Sequence, residues 1–206
     1  MNRFLCLFAL LFAACSGAPD DPRSAEEEVP PEQRYGGTAV IGIAADLQTM
    51  NALVTSDATS ASIQENMLLM PLIRYGPDLQ PEPWLAERWD TVRIAPDSLQ
   101  ITFHLRRDVY WHDGTPTTAH DVRFTYERAI DPNTAYPNRT AFDLWGRKAE
   151  VVDSFTVRMT LRPHAEFLDA IRTLPILPEH ILGDVPPEEL LRHPYGTISP
   201  VGNGPF

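Results

Sequence analysis

The sequence is poor in basic residues. Its 206 residues include 17 lysines and arginines against 28 aspartates and glutamates, which leaves a formal net charge of −11 at pH 7. A protein that binds nucleic acid needs a basic patch, because neutralising the phosphates supplies much of the affinity. Nucleic acid is therefore not an expected partner. The charged and apolar fractions, 22% and 43%, are those of an ordinary globular protein.

Long apolar runs are also lacking. The only one, residues 4–14, has about eleven residues, whereas a membrane-spanning helix needs roughly twenty. Arg3 precedes this run, and the small residues Ala13 and Ala14 end it. A positive start, a short apolar core and small residues are the order of a secretory signal. We therefore predict a signal peptide in residues 1–14.

Cysteine is scarce, with only Cys6 and Cys15 in the chain. The small residues directly ahead of Cys15 resemble a bacterial lipobox, which predicts that Cys15 carries a lipid and that Cys6 is lost with the signal peptide. An ordinary secretory signal with an incidental cysteine is the alternative. In the lipoprotein case the mature body has no disulfide, so its stability must come from the burial of apolar side chains.

Residues 15–35 contain little that could pack into a core. They are rich in proline, aspartate, glutamate and serine, and residues 26–28 are three consecutive glutamates. This composition is typical of disordered segments. We predict a tether between the lipid anchor and the folded domain, and an acidic solvated leader is the alternative.

Catalytic signatures are absent from the sequence. There is no His-Glu-x-x-His, no Gly-x-Ser-x-Gly, no phosphate-binding glycine loop and no paired-cysteine motif. A group of imidazoles and carboxylates, which suit zinc or nickel, does occur at His104, His112, Asp113, His120 and Asp121. Adjacent residues of an extended chain point to opposite sides, so these groups are not expected to converge. We predict no metal site, no cofactor and no enzymatic activity; a metal-dependent envelope hydrolase is the alternative of another class.

The middle of the chain has the clearest pattern of local structure. Residues 99–105 alternate apolar and polar side chains, which predicts a strand with one buried face. Residues 113–116 read Asp-Gly-Thr-Pro and predict a turn. Thr118 followed by Asp121 predicts a capped helix start, and Pro132 ends that helix.

Other elements are predicted on both sides of this region. Residues 39–43 form a short apolar run that favours a buried strand. Apolar residues at helical spacing predict a helix from about Ala61 to Pro71, with Ser60 as its cap. Two hairpins are predicted, with turns at residues 95–98 and 153–154. Strands and helices in this mixture indicate an α/β or α+β architecture.

The four tryptophans divide into two groups. Trp89 and Trp111 lie in strand-like segments, where packing in the core is the commoner role of an aromatic residue. Trp84 and Trp145 could stack on a ligand. Trp145 is the better candidate, because residues 136–146 have an irregular pattern and such segments more often carry function.

Several motifs, taken in order, resemble those of a known family. Residues 103–106 read Phe-His-Leu-Arg, residues 111–116 read Trp-His-Asp-Gly-Thr-Pro, and residues 202–206 read Gly-Asn-Gly-Pro-Phe. Further matching pieces are residues 36–38, 85–89, 131–135 and 151–153. The set resembles the family 5 extracellular solute-binding proteins, which bind peptides, dipeptides or nickel for ABC importers.

This resemblance implies a fold and a function. The implied fold is α/β, the periplasmic-binding-protein-like (type II) fold with two lobes. Residues 36–206 are expected to be the N-terminal part of the solute-binding domain and to cover most of the first lobe, in a chain truncated relative to the family. The implied function is that of a lipoprotein that captures oligopeptides or dipeptides outside the cytoplasmic membrane. The alternatives are a binder of nickel or another small solute, and an envelope interaction module without a small ligand.

The resemblance also implies a set of ligand-binding residues. In the family, the pocket takes contacts from the loop after the first strand and from the segment that follows the proline-stopped helix. Carried onto this sequence, these contacts fall on Ser56, Asp57, Ala58, Thr140 and Phe142. The implied partners are the permease subunits of an ABC importer, and the membrane is contacted only through the lipid anchor.

Overall fold

A computed structural model describes residues 40–43, 46–164 and 167–206. The chain divides into two units, Met1–Gly42 and Ile43–Phe206. The predicted signal peptide, the lipidation site Cys15 and the tether lie outside the described residues. Within the described part of the chain, none of the helices is long and apolar enough to cross a membrane.

The second unit contains six strands and five α-helices among its described residues. The strands are β1 Ile73–Tyr75, β2 Pro81–Pro83, β3 Ala86–Ala95, β4 Ser98–Leu105, β5 Gly146–Asp153 and β6 Thr156–Leu161. The helices are α1 Ala58–Ile63, α2 Ala119–Ile130, α3 Arg139–Trp145, α4 Phe167–Arg172 and α5 Glu179–Leu182. A π-helical turn, Gln64–Leu68, follows α1, and the 3₁₀ turns Pro187–Arg192 and Pro194–Gly196 follow α5.

Four strands form an antiparallel sheet in the order β3-β4-β6-β5, and β1 pairs with β2 in a separate hairpin. Both predicted hairpins of the larger sheet are confirmed, with turns between Ala95 and Ser98 and between Asp153 and Thr156. The alternation predicted for β4 is confirmed as well. Its buried apolar residues are Leu99, Ile101, Phe103 and Leu105. Each such side chain contributes about 1.5–3 kcal/mol when it is fully buried, so this face holds the sheet on the core.

Helix α2 packs on the buried side of the sheet through one apolar face. Val122, Tyr126 and Ala129 are all at most 1% exposed. The helix begins with the predicted capping box, in which the Asp121 Oδ2 atom accepts a hydrogen bond of 2.8 Å from the Thr118 N–H. It ends at Ile130, before Pro132. Reciprocal capping satisfies backbone donors that the first helical turn leaves unpaired.

The first helix differs from its prediction. It begins at Ala58, and its cap is Asp57, whose Oδ1 atom accepts a hydrogen bond of 2.8 Å from the Ser60 N–H. Ser60 is buried inside the helix, and its Oγ atom accepts a hydrogen bond of 3.0 Å from the Gln48 N–H. Aspartate and serine are similarly good caps, so a contact distant in sequence decides between them.

Two further local predictions are wrong. Val40 to Ile43 form no strand, and the Val40 side chain is 92% exposed. A strand requires a hydrogen-bonded neighbour, and neither sheet of the described residues pairs with this segment. Residues 136–146 are also not irregular throughout, because α3 occupies most of them. The helix forms there because it buries Phe142 against the ring of Tyr126.

Candidate ligand-binding surface

Three of the predicted ligand-binding residues lie at the start of α1: Ser56 and Asp57 precede the helix and Ala58 is its first residue. Ser56 and Ala58 are exposed, and Ser56 Oγ donates a long hydrogen bond of 3.4 Å to Gln48 Oε1. Asp57 is tied to the helix by its capping bond. The hydrogen bond from the Ser60 N–H is the main cause that lowers the pKa of the Asp57 carboxyl below its ordinary value. The Asp57 Oδ2 atom is buried without a hydrogen-bond partner among the described residues, so the polar side-chain group presented at the surface here is the Ser56 hydroxyl.

Buried amides hold the segment at the start of α1 in place, and the sequence analysis did not single them out. Asn51 is fully buried, and its Nδ2 atom donates a hydrogen bond of 3.3 Å to the Leu190 carbonyl. Gln64, also buried, donates from Nε2 to the Thr49 carbonyl at 2.7 Å. Hydrogen-bonded polar groups in a low-dielectric core specify one arrangement of the chain. The sequence feature that could have marked Asn51 as a buried polar residue is that apolar residues flank it on both sides.

Thr140 lies on the exposed side of α3, where it lines a groove of about 390 Å³ that we call the α3 groove. The lining residues are Pro137, Asn138, Thr140, Ala141, Trp145, Asp169, Ala170 and Thr173. Trp145 is half-buried, and its ring stacks on the His164 ring with centroids 4.6 Å apart. The groove thus combines an aromatic ring with hydroxyl, amide and carboxylate groups.

Phe142 faces the opposite way from Thr140. Its side chain is 4% exposed and packs against Tyr126 and Tyr136, with ring centroids 6.2 and 6.0 Å apart. Burial raises the pKa of both tyrosines to about 12, which is typical of phenols inside a core. In this conformation Phe142 supports α3 from behind, and its side chain does not reach the α3 groove.

The α3 groove does not include Ser56, Asp57 or Ala58. The predicted residues that are exposed therefore do not share one groove in this structure. Sequence reasoning also missed Asp169 in α4 and Thr173 directly after it, which reach the α3 groove from about thirty residues further along the chain. No local pattern marks them, because their neighbourhood is created only by folding.

Two of the sequence motifs meet at a junction between the turn at residues 111–116 and residues 202–204. The His112 N–H donates to the Gly202 carbonyl at 2.8 Å, and His112 Nε2 lies 3.0 Å from the Gly204 carbonyl oxygen. Asn203 is 3% exposed and accepts a hydrogen bond of 2.8 Å from the Met70 N–H. These contacts give both motifs a structural role in joining distant parts of the chain.

The histidines considered as metal ligands are dispersed. His104 Nε2 lies 3.1 Å from Asp90 Oδ2 on the neighbouring strand, His112 binds the Gly204 carbonyl, and His120 is exposed. Asp121 is engaged in the cap of α2. Among the described residues, no group of three or more histidine, cysteine, aspartate or glutamate side chains is arranged to hold a metal ion.

Asp113 forms a hydrogen bond with His180 of α5 that makes stability depend on pH. The hydrogen bond with His180 Nε2, 2.7 Å long, is the main cause that lowers the pKa of Asp113 to about 2, and the Thr115 N–H adds to it. The folded value lies below the ordinary 3.8, so the pair stabilises the fold above that pH and is lost as pH falls toward 2. Since both side chains are about a third exposed, we expect the pair to contribute less than about 1 kcal/mol to the free energy of unfolding.

The measurement is the free energy of unfolding of the wild type and of Asp113→Asn as a function of pH. The two should differ at about pH 5 and converge as the pH approaches 2. In the His180→Gln background, Asp113→Asn should change the free energy of unfolding by less than it does in the wild type. An equal difference at both ends of the pH range would contradict the assignment.

Comparison with known proteins identifies the family. The profile described as "Bacterial extracellular solute-binding proteins, family 5 Middle" matches residues 80–206, more than half of the chain. The oligopeptide-binding protein AppA of Bacillus subtilis is 28% identical over 208 residues, which cover 100% of this chain and 37% of AppA.

Solved structures agree with this result. AppA in complex with a nonapeptide superposes with a TM-score of 0.69 at 28% identity, over 77% of this chain and 31% of AppA. CtaP of Listeria monocytogenes, an ABC transporter substrate binding protein, has a TM-score of 0.68 at 34% identity, over 82% and 33%. NikZ of Campylobacter jejuni in complex with Ni(L-His) has a TM-score of 0.65 at 29% identity, over 78% and 30%.

These neighbours have the type II periplasmic-binding-protein fold, which confirms the predicted fold class. The chain spans about a third of the length of these relatives, 37% of the AppA sequence. The relatives are solute-binding proteins and not enzymes. The family profile matches more than half of this chain, and the similarity to AppA extends over the whole of it. We conclude that this chain belongs to the family 5 bacterial extracellular solute-binding proteins.

Proposed function

We propose that the protein captures peptides outside the cytoplasmic membrane and delivers them to the permease of an ABC importer. The observation that carries the proposal is the likeness to the oligopeptide-binding protein AppA over 100% of this chain, together with the bound nonapeptide in the AppA structure. An extended peptide can be held largely through its main chain, which gives affinity with little demand on its side chains. Closure of two lobes around the ligand would produce the form that the permease recognises.

Within this function, the two exposed parts of the candidate surface supply ligand contacts. At the start of α1, Ser56 offers a hydroxyl, Ala58 offers backbone groups, and Asp57 fixes this segment through its capping bond. Thr140 offers a hydroxyl in the α3 groove. Phe142 contributes by holding α3 in position, since its ring packs in the core. Trp145 and Asp169 extend the polar and aromatic lining of the same groove.

The proposal includes a membrane anchor. Residues 1–14 direct export, Cys15 carries the lipid, and residues 15–35 tether the folded domain at the outer side of the cytoplasmic membrane or in the periplasm. The support is the order of Arg3, the apolar run and the small residues ahead of Cys15. A tether of this composition leaves the domain free to meet both ligand and permease.

A metal complex is the second candidate ligand. The observation that favours it is the likeness to NikZ, whose structure contains Ni(L-His), with a TM-score of 0.65. The described residues hold no cluster of metal-ligating side chains, so such a ligand would be recognised here through the groups on its chelating molecule. The same α3 groove would then face the ligand.

The test is a binding titration of the protein produced from its complete natural gene. The probes are a random nonapeptide mixture and Ni(L-His), and the signal is tryptophan fluorescence, with Trp145→Phe to assign it to the α3 groove. We expect saturable peptide binding, and about fivefold weaker binding for Thr140→Ala, since one hydrogen bond contributes about 1 kcal/mol.

The control is Thr102→Ala, which removes a hydroxyl from the solvent side of β4, away from the groove. It should bind as the wild type does. Saturable binding of Ni(L-His) without any peptide binding would transfer the proposal to the metal complex. Binding of neither probe would overturn both forms of it.

A further inference from the structure

A second concave surface lies between the π-helical turn, the β1–β2 hairpin and α4. We call it the hairpin groove; its volume is about 520 Å³. The lining residues are Glu65, Asn66, Pro71, Arg74, Tyr75, Gly76, Pro77, Glu82 and Arg172. It shares no lining residue with the α3 groove, although α4 contributes to both. Two guanidinium groups and two carboxylates therefore face one concavity.

One of these charges of each sign is already paired. Arg74 Nε lies 3.3 Å from Glu82 Oε2 across the hairpin. The Arg74 guanidinium also lies over the Trp84 ring, 4.1 Å from its centroid. A guanidinium that contacts both a carboxylate and the face of an aromatic ring already has most of its favourable interactions within the protein. Arg74 and Glu82 thus form one wall of the hairpin groove.

Arg172 differs from Arg74 in this respect. Its guanidinium lies over the Tyr75 ring, 5.4 Å from the centroid. Its Nε atom is buried and has no hydrogen-bond acceptor among the described residues. A buried donor normally has a partner, because leaving it unpaired sacrifices the hydrogen bond that water would have made. The Nε atom is closed to the groove, so a ligand would have to contact Arg172 through the two Nη atoms of its guanidinium, which lines this end of the groove.

Glu65 provides the opposite charge. Burial raises the pKa of its carboxyl, and the nearby Arg172 partly offsets this by lowering the same pKa. The charges of the two side chains therefore interact. No ion pair or hydrogen bond between them is found within the described part of the chain. A guanidinium and a carboxylate without a direct hydrogen bond to each other therefore line the same groove.

We propose that the hairpin groove binds a small zwitterion with the chemistry of a free α-amino acid. Its carboxylate would accept hydrogen bonds from Arg172, whose planar fork of N–H groups matches a carboxylate. Its ammonium group would donate to Glu65. This site is separate from the α3 groove of the proposed function, so each of the two proposals can be rejected without rejecting the other.

The experiment uses the protein produced from its complete natural gene and saturation-transfer NMR, which detects weak binding from the ligand signals. The probes are L-alanine, propionate, which lacks the ammonium group, and ethylamine, which lacks the carboxylate. We expect saturable binding of L-alanine and at least about tenfold weaker binding of the two single-charge probes, because each loses a charge-assisted hydrogen bond.

Variants assign the site. Glu65→Gln and Arg172→Gln should each weaken L-alanine binding by about tenfold or more, and Arg172→Lys should retain part of it, since it keeps the charge without the fork. The matched control is Arg93→Gln, an exposed arginine on β3. Circular dichroism of each variant checks its fold, and Glu65→Gln, being nearly isosteric, keeps the test open if an Arg172 variant unfolds.

Several results would overturn the inference. They are the absence of saturable L-alanine binding, equal binding of propionate and L-alanine, and wild-type binding by Glu65→Gln. The nonapeptide titration at Trp145 is read separately. Peptide binding without L-alanine binding would reject only the hairpin groove, and the converse would reject only the proposed peptide site.

Discussion

Replacing Gly202 with alanine is expected to lower the free energy of unfolding by about 3 kcal/mol, because overpacking a well-packed site forces backbone shifts. A Cβ atom at this position would overlap the carbonyl oxygen of Leu68 and contact its side chain. The Gly202 carbonyl also accepts the hydrogen bond from the His112 N–H, so a shift of this segment weakens the junction as well. Urea unfolding of the chain measures the change.

Gly42→Ala is the matched control. A Cβ atom there would meet no heavy atom within 4 Å, so its effect should remain within about 0.5 kcal/mol. A loss of less than about 1 kcal/mol for Gly202→Ala would show that the junction can relax, and would contradict the close approach described for it.

Trp111→Ala is expected to lower the free energy of unfolding by about 3–5 kcal/mol, the range found for large aromatic residues removed from a core. The Trp111 side chain is 1% exposed and lies beside the His180 ring, with centroids 6.2 Å apart. Its backbone N–H donates to the Thr115 carbonyl at 2.7 Å and closes the turn. Alanine would leave a cavity beneath the turn that carries the Asp113–His180 hydrogen bond.

The adjacent Tyr110 provides the control, since its side chain is 54% exposed. Tyr110→Ala should lower the free energy of unfolding by about 1 kcal/mol or less. Trp111→Phe should fall between the two alanine variants, because it keeps part of the buried ring. Equal losses for Trp111→Ala and Tyr110→Ala in urea unfolding would show that Trp111 is not the core residue that its burial indicates.

Elements whose pattern and boundaries are local could be predicted from the sequence. Strand β4 has strict alternation, its hairpin turns are short, and α2 carries both its cap and its stop signal within the chain. The resemblance to the family rests on the same central motifs. Trp111 was correctly interpreted as a core residue, since aromatic side chains in strand-like segments usually pack inward.

Predictions failed where a distant segment decides the conformation. Residues 40–43 are apolar enough for a strand, but a strand exists only with a neighbour to pair with. Ser60 was an acceptable cap, yet its hydroxyl is used by Gln48 and Asp57 takes the cap instead. Helix α3 forms in a segment that lacks clear helical signals because Phe142 is drawn into the core.

The candidate site shows the same division. Thr140 and the loop at Ser56 could be proposed from the resemblance, and their contact with ligand stays a prediction. Asp169, Thr173 and the opposed charges of Glu65 and Arg172 could not be found from the sequence, because α4 and the π-helical turn are remote along the chain.

The sequence by itself determined the family, the order of the central strands and helix, and the buried face of β4. The tertiary structure decided where α1 begins, that residues 139–145 are helical, and which side chains share a groove. Local patterns record the periodicity and capping of single elements, which depend on neighbours within a few residues. Shared surfaces and pairing depend on contacts between residues far apart in the chain, and those contacts arise only when the whole core packs.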